Sequence, residues 1–217
     1  MKKIVSVFVS LVFVLAIQTT SYSQFRLKVG PALGMNFNLH SGSDIESGNG
    51  FGIAFGGYAD MNFTPTIGLI GGISFYDNRS GSYTESGSDP YYGNYTVDVS
   101  GSLAYFQLES LFKLQIPNDN FFFVFGPVVG FNIQSQAEST ISLPAYNYTS
   151  KTSKATIKDT QVRFELKTGA GYDIPVTKFI IISPQLTFGY GLTDVVKDVK
   201  WKIMTFQLLA GVKFNLI

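Results

Sequence analysis

The chain has 217 residues and no cysteine, with 16 Lys and Arg against 15 Asp and Glu. The absence of cysteine excludes disulfides and thiolate chemistry, and the lack of a basic excess argues against nucleic acid as a partner. Charged residues make up 14% of the chain and aromatic residues 15%, an apolar composition for a chain of this length.

The start of the chain has the pattern of a secretory signal peptide. Lys2 and Lys3 precede an apolar segment, and polar residues follow up to a cleavage point after Ser23. An uncleaved membrane anchor is the alternative, but the apolar segment is shorter than the ~20 residues of a spanning helix. We therefore predict a signal peptide at residues 1–23 and one domain at residues 24–217.

Alternation of apolar and polar residues dominates the rest of the chain. In residues 25–39 every odd position is apolar, and every even position is charged, polar or small. Such a period of two is typical of a β-strand with two different faces. The same pattern predicts eight strands, at residues 25–39, 51–63, 67–75, 95–116, 121–133, 162–174, 180–192 and 204–216.

The fifth predicted strand, residues 121–133, at first resembles a buried helix because nearly all of its residues are apolar. Pro127 would break a helix there, and Gly126 and Gly130 would weaken it. With period two, its odd positions are large and apolar, and its even positions become smaller and more polar. In the fourth strand the alternation is interrupted near residues 100–103, where we predict a β-bulge at Gly101.

The connections alternate between short and long. Short turns follow the second, fourth and sixth strands, and the long polar loops are predicted at residues 40–50, 78–94, 138–155 and 194–200. A soluble β-sandwich would place its large apolar residues inside, whereas here glycine, alanine and charged residues share one face. The chain is therefore predicted to be all-β, an eight-stranded antiparallel up-and-down transmembrane β-barrel of the bacterial outer membrane.

The face opposite the large apolar side chains carries charged residues of both signs. Because charges are costly in lipid, they are expected to point inward and to pair. We predict a plugged lumen with a structural charge network; a proton or ion path is the alternative. The network residues are Arg26, Lys28, Asp60, Glu109, Lys113, Arg163, Glu165, Lys167, Asp173 and Lys213.

Three segments resemble one family of barrels. The segments YFQLESLFKLQIP (105–117), FFFVFGPVVGF (121–131) and GVKFNLI (211–217) look like the Bacteroidetes-type outer-membrane β-barrel family often labelled PorT-like. Ser110 departs from the family pattern, which often has proline there. The resemblance covers essentially the whole mature chain. It implies a barrel and a link to the secretion of cargo, although these strand and turn motifs specify no task.

Few residues suggest chemistry. His40 precedes Ser41, Ser43 and Asp44, a combination found in lipid A-modifying barrels, but a loop histidine without a catalytic role is the preferred interpretation. With one histidine and no cysteine, a metal site would need oxygen ligands such as Asp194, and a solvated loop is preferred there. We therefore expect no enzymatic activity, no cofactor and no metal site.

The loops offer the remaining candidates for function. The tyrosines of residues 83–95 are interpreted as an aromatic girdle at the lipid interface, with a grip on a partner or glycan as the alternative. We expect a monomer that contacts outer-membrane lipid. Three roles remain open: a structural or interaction barrel that presents its loops or turns to a protein partner, a small transporter or export accessory, and a lipid A-modifying enzyme.

Overall fold

The computed structural model describes residues 25–91, 93–144, 148–151 and 155–216. The predicted signal peptide lies outside these described residues. Within them the chain is almost entirely β-structure, and no helix there is both long and apolar enough to cross a membrane.

Twelve strands occur in the described part of the chain. They are β1 (Arg26–Ser41), β2 (Gly48–Asn62), β3 (Ile67–Asn78), β4 (Gly81–Asp89), β5 (Gly93–Gln115), β6 (Phe121–Leu143), β7 (Tyr148–Lys151), β8 (Ala155–Thr156), β9 (Arg163–Tyr172), β10 (Ile174–Pro175), β11 (Ile180–Gly191) and β12 (Lys202–Asn215). Each of the eight predicted strands corresponds to one of the longer ones, or to β9 and β10 together.

Eight of these strands close into a ring. They pair antiparallel in the order β1, β2, β3, β5, β6, β9, β11 and β12, and β12 pairs again with β1. The predicted eight-stranded antiparallel barrel is thus confirmed. Closure satisfies the backbone donors and acceptors of the first and last strands, which lipid could not do.

The two faces of the barrel wall differ as the alternation predicts. Leu33, Met35 and Leu208 are more than half exposed on the outside, whereas Ile70 and Phe122 are buried inside. A continuous outer band of large apolar side chains would be unfavourable in water, so this band identifies lipid as the surrounding solvent.

Two β-bulges change which residues face inward, and neither lies at Gly101. Phe75 is the extra residue where β3 pairs with β2, and Ile133 is the extra residue where β6 pairs with β5. Gly101 itself pairs without a shift, so the predicted bulge position was wrong. Beyond each bulge the odd positions of the bulged segment point inward. After the bulge at Phe75, this change buries Asp77 and Arg79.

The predicted loops at 78–94 and 138–155 contain strands, which corrects the sequence interpretation. β4 pairs with the outer part of β5, and β6 continues to Leu143, where it pairs with β7 and β8. Together β4, residues 93–102, residues 134–143 and β7 form what we call the upper sheet. The strands β5 and β6 each have 23 residues, roughly twice the 9–11 that cross a bilayer.

The outer face of the upper sheet is polar, whereas the outer face of the barrel wall below it is apolar. Gly81 identifies the inner face of the upper sheet, because a Cβ atom added there would meet the buried His40 ring. The register of the strands then shows which other residues share that face. That inner face carries Tyr83, Tyr95, Val97, Val99, Ile141, Leu143 and Tyr148, together with the polar residues Glu85, Asp89, Ser139 and Ser150. The outer face carries Ser82, Thr84, Ser86, Ser88, Thr96, Asp98, Ser100, Ser102, Gln136, Glu138, Thr140 and Ser142. A polar outer face places the upper sheet in water, above the lipid.

Interior glycines make room for large side chains on neighbouring strands. A Cβ atom added to Gly211 would overlap the hydroxyl end of the Tyr58 ring, and one added to Gly171 would meet the Phe122 ring. The glycines of the inner face are therefore packing partners of the buried rings. A small barrel needs this pairing of small and large residues because its interior is about as wide as the side chains that fill it.

We predict that Leu208→Arg destabilises the barrel by about 2–4 kcal/mol, since it places a charge on the lipid face. Leu208 is 56% exposed and pairs with Met35 and Leu186 in the apolar band. Unfolding by guanidinium in lipid vesicles measures the effect, and Leu208→Met is the matched control. Equal stability of the two variants would contradict the assignment of this face to lipid.

We also predict that Gly211→Ala costs about 1–3 kcal/mol through overpacking against Tyr58. Gly71→Ala is the control, because its added Cβ meets only the Met61 methyl, at 4.0 Å. In the Tyr58→Ala background the Gly211→Ala penalty should largely disappear. A penalty that persists without the ring would show that Tyr58 is not its cause.

Candidate functional site: the barrel interior

The lower interior contains a crossed set of ion pairs. Lys213 donates to Asp60 and to Asp173, both at 2.7 Å, and Lys113 donates to Asp60 at 2.8 Å. Lys113 also lies 3.5 Å from Asp173, and Lys28 lies 3.3 Å from it. In the closed ring, β5 with Lys113 lies opposite β12 with Lys213. Likewise, β2 with Asp60 lies opposite β9, which ends one residue before Asp173. The set therefore ties together four walls of the barrel.

Aromatic faces and a hydroxyl complete this lower set. The Phe122 ring centre lies 4.5 Å from the Lys113 ammonium and 4.8 Å from that of Lys213. Ser183 donates to Asp173 at 2.8 Å. Three lysines face two carboxylates, which leaves a charge of +1 (3 minus 2), and the negative face of the ring contributes to its stabilisation.

A second polar network lies in the upper half of the interior. Lys167 donates to Glu109 at 2.7 Å and to Gln207 at 3.2 Å. Gln207 in turn donates to Asn36 at 2.9 Å, and Asn36 donates to Asp77 at 2.5 Å. These bonds link β9, β5, β12, β1 and β3 in one chain of contacts, so this network also crosses the lumen.

Two arginines end the upper network. Arg79 is fully buried, donates to Asp77 at 2.5 Å and lies 4.0 Å from Glu165. Arg163 pairs with Glu165 and donates to the Ile203 carbonyl at 3.3 Å. With Lys167 and Glu109 included, three cations meet three carboxylates, so the upper network is neutral (3 minus 3).

Apolar side chains accompany both polar networks. Tyr58, Ile70, Leu111, Phe122 and Val124 form one buried cluster inside the barrel. A second cluster near the outer end consists of Leu103, Tyr105, Val195 and Ile203, with Trp201 packed against it. The interior is thus filled by apolar and charged side chains in alternation.

Nine of the ten residues predicted for the charge network take part in these interior pairs. The tenth, Arg26, is exposed at the periplasmic end of β1. There it lines a vestibule of about 1010 Å³, together with Lys28, Asn62, Asn118 and Asp173. The vestibule reaches Asp173 and Lys28, the lowest members of the crossed ion pairs.

His40 is buried in β1 and is not a loop residue, which corrects its predicted placement. Its Nδ1 accepts a hydrogen bond from the Trp201 indole at 3.0 Å, and its Nε2 lies 3.0 Å from the Ser80 carbonyl. Because an indole N–H only donates, the neutral ring carries its proton on Nε2 and donates it to that carbonyl. Both ring nitrogens are engaged, and Ser43 donates instead to Asp44, at 3.0 Å.

The two outer loops nearest β1 are joined by a backbone bond. The Lys200 N–H donates to the Asp44 carboxylate at 2.8 Å. This bond, assisted by the Ser43 hydroxyl, lowers the pKa of Asp44 below its usual value. The contact fastens the β1–β2 loop to the loop before β12, at the outer end of the barrel.

One alternative that the sequence left open, a metal site, and one sequence interpretation, the aromatic girdle, gain no support from the geometry. No group of three or more potential metal ligands occurs among the described residues, and Asp194 faces Lys200 at 3.7 Å. Tyr83 and Tyr95 lie on the inner face of the upper sheet, so they form no girdle against lipid.

The sequence interpretation missed Asp77, Arg79 and the linking role of Asn36. Asp77 and Arg79 were missed because residues 78–94 were assigned to a loop and because the bulge at Phe75 shifts their phase. The sequence did contain a signal for them: Asp77 and Arg79 are two residues apart, as neighbouring inward residues of a strand are. Their spacing continues the strand pattern, shifted by one position from the inward residues before the bulge. Asn36 belongs to the predicted inner face, but no pattern indicates its partners.

We predict that Asp60→Asn destabilises the barrel by about 3–5 kcal/mol, because it leaves Lys113 and Lys213 buried with too little negative charge. Asp98→Asn, at an exposed carboxylate bonded to Thr84, should change stability by less than about 0.5 kcal/mol. Guanidinium unfolding of both variants in vesicles provides the comparison. A small effect at Asp60 would mean that the crossed ion pairs are dispensable for stability.

Comparison with solved structures finds small outer-membrane proteins. Ail of Yersinia pestis, solved with the heparin analogue sucrose octasulfate, is 13% identical over 87% of this chain and 99% of that chain, with a TM-score of 0.40. Neisserial surface protein A is 14% identical over 87% and 96%, with a TM-score of 0.37. OprG of Pseudomonas aeruginosa is 8% identical over 90% and 98%, with a TM-score of 0.39.

Comparison with curated protein sequences finds no significant match. A family model, in contrast, matches most of the chain: residues 18–197 fit the outer membrane protein beta-barrel domain. The closed ring and its outer apolar band agree with that match. The chain therefore belongs to the outer membrane protein beta-barrel domain family and is an integral protein of the bacterial outer membrane.

Proposed function

We propose that this protein is a non-conducting, non-enzymatic barrel that presents its upper sheet to a partner outside the cell. The observation that carries the proposal is the length of β5 and β6, which continue as paired strands well beyond the apolar band. Ordered strands above the membrane cost conformational entropy and add nothing to anchoring in lipid. A surface for recognition accounts for them.

The upper sheet suits recognition in two ways. Its hairpin tip is accessible, with Tyr91 85% exposed, and tyrosine is enriched in recognition surfaces. Its inner face carries Val97 and Ile141 above the barrel mouth, which offers apolar area to a partner. The partner is expected to be a protein, because that inner face combines aromatic and branched apolar side chains with the carboxylates of Glu85 and Asp89.

The lumen supports the non-conducting part of the proposal. Lys113, Phe122 and Lys213 are each 0% exposed, and two charge networks cross the interior from wall to wall. An ion could pass only after several buried pairs had separated. The engaged nitrogens of His40 support a structural role for that residue and thus the absence of a hydrolase centre.

A second candidate is an accessory role in protein export, which the PorT-like resemblance implies. The periplasmic vestibule favours it, since its amide and charged side chains would face a periplasmic partner. A photo-crosslinking residue at Tyr91 and another at Asn118 distinguish the two candidates in native membranes. We expect adducts from Tyr91; adducts only from Asn118 would favour the export role.

Planar-bilayer recording tests the plugged lumen. We predict no steady conductance steps from the wild-type barrel. Lys213→Ala should introduce brief openings, because it removes two of the crossed ion pairs and the charge over Phe122. Steady open steps in the wild type would contradict the proposal, and heat-modifiable migration on a gel confirms that each variant is folded.

A further inference from the structure

The strand β4 has an open edge in the upper sheet. One of its edges pairs with β5 along the whole strand, from Gly81 with Gly101 to Asp89 with Gly93. The other edge pairs with β2 only once, at Ser82 and Asn49. Above Ser82 no described strand pairs with this second edge, so the backbone groups of residues 84–89 that point to that side have no strand partner.

Two carboxylates account for the end of the pairing between β4 and β2. If that pairing continued in the same register, Glu46 would lie directly opposite Glu85, and like charges in that position destabilise a strand pair. The β1–β2 loop turns instead toward the loop before β12, where Asp44 accepts the hydrogen bond from the Lys200 N–H. The edge of β4 is therefore left open where β2 ends.

The open edge lacks several features that protect exposed strands in other proteins. Residues 84–89, with the sequence TESGSD, contain no proline and no lysine, and the register of β4 with β5 has no bulge. These residues extend over about 20 Å, the length of an ordinary strand. The edge is thus long enough to accept one further strand.

Charge selects the strand that this edge can accept. Glu46 and Glu85 are exposed carboxylates on the two sides of the opening, so an added strand with lysine or arginine would be attracted by both and an acidic strand would be repelled. A second copy of this chain is excluded from antiparallel pairing here, because barrels in one membrane all point the same way. The occupant is therefore a segment of a different protein.

We propose that β4 binds an extended basic segment of a partner protein, which adds to the upper sheet as a further strand. Backbone hydrogen bonds to residues 84–89 supply the affinity, and basic side chains beside Glu46 and Glu85 supply the selectivity. The proposal rests on the recognition role of the upper sheet and names the kind of segment that it recognises.

Peptide binding to the intact barrel in phosphatidylcholine nanodiscs tests the proposal. The probe is a short, fluorescently labelled peptide of alternating threonine and lysine. One matched peptide has glutamate in place of lysine, and another is N-methylated at every amide, which keeps the charge but removes the donors of a strand. Fluorescence anisotropy measures the affinity, and hydrogen–deuterium exchange identifies the amides that each peptide protects.

We expect the lysine peptide to bind and to slow amide exchange in residues 84–89, and the other two peptides to bind about tenfold more weakly. Glu85→Gln should weaken binding of the lysine peptide about threefold. Asp98→Asn is the matched control, because it removes an exposed carboxylate from the outer face of β5, away from the open edge, and it should leave the affinity unchanged. Heat-modifiable migration confirms that both variants are folded.

Equal binding of the N-methylated peptide would show attraction by charge alone and would overturn strand pairing. Protection of amides outside β4, or unchanged binding by Glu85→Gln, would overturn the assignment to this edge. Slower exchange in residues 84–89 at higher barrel concentration, without peptide, would assign the edge to a second copy. If Tyr91 gives photo-adducts in native membranes but no peptide protects β4, the recognition role stands and the pairing at β4 is overturned.

Discussion

This barrel depends on one constraint, that every charge in its interior needs a partner, and the ion pairs of Lys213 meet it. A charge on the wall of a barrel in lipid can turn only inward, and inside a narrow barrel it must find a partner. Lys213 and Lys113 come from opposite walls and share Asp60, which lies on a third. Polar contacts thus do in this interior what apolar packing does in a soluble protein: they fix the relative positions of strands distant in sequence.

The two bulges extend this constraint to the outer end of the barrel. The bulge at Phe75 shifts β3 by one residue and brings Asp77 and Arg79 into the interior. The bulge at Ile133 shifts β6, so that Gln136, Glu138 and Thr140 face outward above it, whereas β5 becomes polar on its outer face without a shift. Local irregularities in pairing thus complete the upper charge network and contribute to the polar outer face of the upper sheet.

A filled interior leaves the two ends of the barrel for function. The vestibule faces the periplasm, and the upper sheet faces the medium. Each has a distinct chemistry: amides and charges in the vestibule, and tyrosine and branched apolar residues beside Glu85 and Ser139 on the inner face of the upper sheet. Because these surfaces lie on different parts of the barrel, variants can separate their roles while the interior stays intact.

The sequence by itself determined the eight wall strands and the face that meets lipid, because an alternation with a period of two shows which side chains share a face. The short and long connections between the strands determined their antiparallel order. The sequence also indicated which charges point inward, since few alternatives exist for a charge in such a wall. Only the tertiary structure decided which charges meet, because Lys213 and Asp60 are separated by 153 residues and no local pattern encodes that distance. It also decided the positions of the bulges at Phe75 and Ile133 and the burial of His40 beside Trp201, because these depend on how neighbouring strands align.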